Sequence, residues 1–165
     1  MQISKHFKLS EFTKSQVATR NGIKNMPGSG DIKNLGNVAY EILEPVRAKF
    51  EKPVMINSGY RCLELNRKIG SSDSSQHTKG MAVDFEIIGT PNIQVAYWVQ
   101  NNCDFDQLIL EFYKPDEDNA GWIHASYCDG NNRKQVLTFD GKSYTDGLPD
   151  MEWKDGKVKE WYGLV

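Results

Sequence analysis

The chain has 165 residues, of which 39% are apolar and 25% charged, and its net charge is -2. That length suits one domain with a real core, and the charge balance offers nothing to nucleic acid. No apolar run approaches the ~20 residues that cross a bilayer, which excludes membrane insertion by a helix.

Residues 1–8 lack the apolar stretch of a secretory signal, so synthesis in a cytoplasm without a Sec route of its own is expected. Residues 1–30 read as a short irregular segment, with a helical turn over 9–12 capped by Ser10 and a loop over 25–30. His6 in this segment reads as a solvated side chain and not as a ligand. From Asp31 to Phe50 apolar residues fall at 32, 35, 39, 42, 43, 46 and 50, the spacing of a helix with one buried stripe. Asp31 suits the helix start, and Pro45 predicts a kink or break near Leu43 and Glu44.

Residues 53–57 predict a short strand that delivers Ser58-Gly59-Tyr60-Arg61 to its end. Residues 63–69 predict a short helix with Leu65 inward, followed by a polar loop over 70–75. Along 82–88 the residues alternate: Ala82, Asp84 and Glu86 face one way, and Val83, Phe85 and Ile87 the other. Thr90 and Pro91 read as the cap and first residue of a helix running to about Asn101. Residues 106–112 form the next strand, with Leu108, Leu110 and Phe112 on the face opposite Gln107, Ile109 and Glu111. Residues 122–127 form another, with Trp122, His124 and Ser126 on one face. Residues 134–139 are expected as its antiparallel partner, closed by a turn at Asp140-Gly141, and 151–158 as a small hairpin. Cys62, Cys103 and Cys128 are odd in number and have no C-x-x-C spacing, so they read as buried free thiols.

One group of residues carries chemistry. His77 and Asp84 lie seven residues apart, and His124 sits on the polar face of a later strand. Two imidazoles and a carboxylate, with no obvious fourth ligand, make the open set that a catalytic zinc requires, whereas a structural zinc is closed by four. Such a site lets hydrolysis run at neutral pH when a general base stands beside it. Glu111 is the first candidate base, because a carboxylate ending an apolar strand costs energy without a task. Glu86 is the second, since it shares a face with Asp84. The alternative for Glu111 is a solvated strand end. Arg61 offers a fork for a substrate carboxylate, or else an internal partner such as Asp73 or Glu64. Ser75 is either a substrate or metal-site contact or a plain loop residue.

These residues resemble a known pattern. Ser75-x-His77-x-x-Gly80-x-Ala82-x-Asp84, Ser58-Gly-Tyr-Arg61, the strand Asp104-Phe-Asp-Gln-Leu-Ile-Leu-Glu111 and Trp122-Ile-His124 together are similar to the zinc D-Ala-D-Ala carboxypeptidase family of peptidoglycan peptidases, closest to its small single-domain phage and prophage members. The likeness spans roughly residues 3–139. It implies an α+β fold, with a central antiparallel sheet and helices packed on one side, of the kind shared by Hedgehog domains and these peptidases. It implies zinc on His77, Asp84 and His124, Glu111 as catalytic base, Arg61 as substrate-binding arginine and Ser75 as a substrate or outer contact. Two departures stand out. Members with Glu-x-x-His carry the base three residues before the last ligand, where this chain has Gly121. Members with His-x-His carry a histidine where this chain has Trp122.

The expected organisation is a peptidase domain over residues 1–139 and a C-terminal extension over 140–165 packed on it, its Trp153, Trp161 and Tyr162 included. The expected activity is zinc-dependent hydrolysis of the peptidoglycan stem peptide, as a D-Ala-D-Ala carboxypeptidase or an L-Ala-D-Glu endopeptidase. A monomeric phage enzyme would reach the wall after holin-type release or within a virion. The alternative is an inactive zinc-binding module that serves as a virion or wall-binding protein.

Overall fold

Strands with alternate apolar residues bury one face and leave the other free for chemistry. The computed structural model describes residues 1–150 except 115, 116 and 118. The predicted hairpin at 151–158 and the tail aromatics Trp153, Trp161 and Tyr162 lie outside the described residues. Six strands form one sheet: β1 Met55–Ser58, β2 Ala82–Glu86, β3 Gln107–Glu111, β4 Trp122–Ser126, β5 Gln135–Phe139 and β6 Tyr144–Asp146. Their order is β1-β2-β4-β3-β5-β6.

Pairing is antiparallel from β1 through β2 and β4 to β3. The sheet is nevertheless mixed, because β5 runs parallel to β3. The expected pairing of residues 134–139 with 122–127 therefore does not form. Both edges of β4 are taken, by β2 and β3, so the returning chain passes over β3 and adds to its free edge. The turn at Asp140 closes β5 onto β6 instead. There the Asp140 carboxylate accepts the backbone N–H groups of Lys142 and Ser143 at 2.7 and 2.8 Å, the local bonding that suits Asp to turns.

The buried face carries Val83 and Phe85 of β2, Leu108 and Leu110 of β3, and Ile123 and Ala125 of β4. Helices cover it from one side, as expected. The long helix comprises α3 Ser29–Val38, a π turn Ala39–Leu43 and α4 Glu44–Phe50. Its Leu35, Ala39, Ile42, Leu43 and Val46 are buried in the predicted stripe, each worth ~1.5–3 kcal/mol for the larger side chains. The π turn is the interruption that Pro45 imposes, since proline lacks the N–H and its ring crowds the carbonyl four residues back.

The N-terminal segment is more ordered than its composition suggests. It forms α1 Leu9–Thr13 and α2 Gln16–Asn21, too short for a readable period. Ser10 lies inside α1; the helix starts after Lys8, whose N–H donates to the Glu11 carboxylate at 2.7 Å. Ser15 caps α2 instead, accepting from the Ala18 N–H. His6 is not simply solvated: its Nδ1 meets the Glu44 carboxylate at 2.6 Å and ties the terminus to α4. After β1, α5 Leu63–Lys68 buries Leu65 as predicted. Finally, α6 Asn92–Asn102 starts one residue later than expected. Thr90 does not cap it, because its hydroxyl accepts from the Lys52 ammonium at 2.9 Å. The three cysteines are free, with Cys103 buried and the other two partly exposed. Among the described residues no helix is long and apolar enough to cross a membrane.

Candidate metal centre

Strand register does most of the assembly. Asp84 of β2 stands directly opposite His124 of β4, so both side chains leave the polar face as neighbours. His77 comes from a 3₁₀ turn, Gln76–Lys79, just before β2. That turn ends at Gly80, which has φ +65 and packs so tightly on α3 that a Cβ there would lie 2.5 Å from the Asp31 carbonyl oxygen. Only glycine takes this conformation at low cost in such a space. On the other flank, β1 carries a bulge between Ile56 and Ser58, which brings Ser58 opposite Asp84 and aims the following Gly59-Tyr60-Arg61 at the centre.

His77, Asp84 and His124 converge with one donor atom from each within 4.8 Å of the others. His77 Nε2 lies 3.3 Å from Asp84 Oδ1, and His124 Nδ1 lies 2.9 Å from the same oxygen. His77 Nδ1 sits 2.7 Å from the Gly59 carbonyl oxygen. A carbonyl can only accept, so Nδ1 carries the proton and Nε2 is left as a lone pair facing Asp84. This carbonyl fixes the tautomer as an outer-sphere partner does in metal sites. Burial pushes His77 towards the neutral form against the pull of Asp84. Burial works against the Asp84 carboxylate too, but the two imidazoles beside it win and hold it far below the ordinary carboxylate range. A neutral imidazole with a free Nε2 and an ionised carboxylate are the states that ligate a divalent cation.

Glu111 ends β3 on the same polar face, opposite Trp122 and two pairs along from His124. Burial and then the negative charge of Asp84 push its carboxyl upward, which suits a group that takes and returns a proton. Arg61 is half-buried and near Asp84 and Glu111; burial lowers its pKa, and those two carboxylates oppose the shift. Its expected alternative partner Asp73 is taken by Arg67 at 2.7 Å. Glu86 lies on the Asp84 face but at the β1 side, where its carboxylate accepts from Asn57, and it lines neither groove of the site. Ser75 lines the groove and precedes the His77 turn; its carbonyl accepts from the Thr78 hydroxyl at 2.7 Å.

Two grooves meet at this centre and share Arg61, Ile69, Asp84 and Trp122. One, of about 890 Å³, runs between α2 and the outer face of β1 and is mainly apolar. The other, of about 900 Å³, passes His77, His124 and Glu111 towards Phe112, Phe139 and Tyr144 and is mainly polar.

A supporting network escaped the sequence reading. Buried Asp106, just before β3, accepts from Gln76 Nε2 at 2.8 Å, Arg133 Nε at 2.9 Å and Arg133 Nη2 at 2.6 Å. Gln76 adjoins His77, so the network braces the turn that presents this imidazole. The available signal was an acid at the start of an apolar strand, which needs a partner when buried.

A family model described as peptidase M15 matches residues 5–124. That is 120 of the 165 residues, and it takes in His77, Asp84 and His124 together with Glu111 and Arg61. No curated protein matches the chain. Peptidases of this family are zinc-dependent. The donor set here fits that metal: two nitrogens and one carboxylate oxygen, with no fourth protein ligand in the group among the described residues.

Proposed function

The chain belongs to the peptidase M15 family, a family of zinc peptidases, and from that premise we propose that it hydrolyses the stem peptide of bacterial peptidoglycan as an endopeptidase of the L-Ala-D-Glu type. The observation that carries the choice is the pair of grooves meeting at Asp84. A carboxypeptidase needs room on one side of the scissile bond and a stop on the other. This cleft continues on both sides, each arm having the volume of a small-ligand site. The family likeness to small phage and prophage members supports a role in wall degradation after holin-type release or from a virion.

His77, Asp84 and His124 would hold zinc, which would supply an acidified water and a polarised carbonyl. The protein's own groups do the rest. Glu111 accepts the proton from the attacking water on its carboxylate and passes it to the leaving amine nitrogen. Its raised pKa brings the two transfers closer to balance near neutrality. Arg61 holds a substrate carboxylate through its guanidinium fork, in a half-buried setting where such a pair gains more than at an open surface. The Gly59 carbonyl keeps the His77 proton on Nδ1 throughout.

The test is incubation with two defined stem peptides, one offering an internal L-Ala-D-Glu bond and one ending in D-Ala-D-Ala. The proposal expects cleavage of the internal bond. Release of terminal D-Ala alone would make the enzyme a carboxypeptidase. Sacculus binding without cleavage of either peptide would favour the inactive wall-binding module.

A further inference from the structure

Four buried side-chain polar atoms have no hydrogen-bond partner among the described residues: Arg61 Nε, Asn66 Oδ1, Asn92 Oδ1 and Trp122 Nε1. Two of them are donors at the metal centre, Arg61 Nε and Trp122 Nε1, and their residues line both grooves. Arg61 has a task in the reading above, whereas Trp122 has none. An unmet buried donor is destabilising, so the site carries that cost unless its working state supplies an acceptor.

The surroundings name the acceptor. Trp122 is the cross-strand partner of Glu111 in the β3–β4 register. Its ring is fixed by a tilted contact with Phe112, centroids 4.9 Å apart, which leaves the indole little freedom to turn away. The indole N–H is close enough to the Glu111 carboxylate to favour its ionised form, although the pair falls outside strict hydrogen-bond geometry. Tryptophan cannot exchange a proton at this position, but it can hold a carboxylate still.

We propose that Trp122 is a positioning residue for hydrolysis: its indole N–H donates to one oxygen of Glu111 while the other oxygen takes the proton of the attacking water. The bond fixes which lone pair faces the water and keeps the carboxylate from swinging towards Arg61. This inference rests on the reading of Glu111 as the base.

The test compares zinc-loaded wild type, Trp122→Phe, Glu111→Gln and the double variant. Phenylalanine keeps a ring against Phe112 and deletes only the donor. Loss of a hydrogen bond to a charged group predicts a fall in kcat of about 10- to 100-fold, with KM and zinc content unchanged. In the Glu111→Gln background the same substitution should alter the residual rate less than about threefold, because coupled partners are non-additive. Equal losses in both backgrounds, or no loss in the single variant, would overturn the positioning role and leave the base assignment standing. A full rate in Glu111→Gln would overturn the base assignment and this inference with it. A readout without activity uses the indole ¹H–¹⁵N resonances of the four tryptophans, which need no Trp122 variant to fold. Glu111→Gln should shift one of them in the zinc-loaded protein, and four unmoved resonances would refute the contact.

Discussion

Asp106→Asn is the substitution whose effect the structure fixes most fully. The carboxylate is 1% exposed and accepts two bonds from the Arg133 guanidinium, one from the Arg133 backbone N–H at 3.0 Å and one from Gln76. The Arg133 guanidinium is the largest cause of a pKa held down to about 2, against an ordinary 3.8. At 1.36 kcal/mol per pH unit that difference is worth roughly 2.5 kcal/mol. The Arg133 side chain is 54% exposed, so solvent screening brings the net figure to about 1–2 kcal/mol. The sign follows from the depressed native pKa. The contribution is complete above the unfolded value near 3.8 and drains away as pH falls through about 2. Asparagine keeps the shape and loses the charge. Urea unfolding of the chelated proteins should therefore show the variant less stable by about 1–2 kcal/mol near pH 6, with the gap narrowing towards pH 3. A gap that stays constant over that range would refute the ion-pair account. No gap near pH 6 would mean that the network contributes nothing net to stability.

The remaining expectations concern the centre and its frame. His77→Ala and His124→Ala should each lose stoichiometric zinc, measured by elemental analysis after dialysis; full metal content in either variant would remove that residue from the site. Glu111→Gln should keep one zinc per chain and lose about 10²–10⁴ in kcat, and a near-normal rate would move the base elsewhere. Arg61→Ala should lower kcat/KM on substrates carrying a free carboxylate next to the scissile bond, with little effect on an amidated analogue; equal losses on both would exclude the carboxylate contact. Gly121→Ala should destabilise by at least about 2 kcal/mol in thermal or urea melts. Its φ is +70, and a Cβ there would run into the Glu111 carbonyl oxygen. Wild-type stability in this variant would show that the turn into β4 is free to move.

Local periodicity and parity carried most of the fold. The helical stripe from Leu35 to Val46 and the alternation in β2, β3 and β4 depend only on which residues must avoid water, and they were legible without coordinates. The convergence of Asp84 and His124 was legible for the same reason, since parity places both on polar faces and pairing then sets them side by side. What failed depends on partners distant in sequence. Nothing local in residues 134–139 says that β4 has no free edge, so β5 was given the wrong neighbour. The solvent exposure expected of His6 could not anticipate Glu44, 38 residues away. The Asp106–Arg133–Gln76 brace likewise joins three segments. Trp122 read as a departure from a motif, and only the register opposite Glu111 gives its N–H a neighbour.

The most direct test of the central claim is digestion of purified sacculi by the zinc-loaded protein, with mass spectrometry of the released fragments and a chelated control. The account predicts new termini at a single internal stem-peptide bond, absent after chelation and restored by added zinc. Intact sacculi from a protein shown to hold one zinc per chain, or fragments that appear equally in the chelated control, would contradict it.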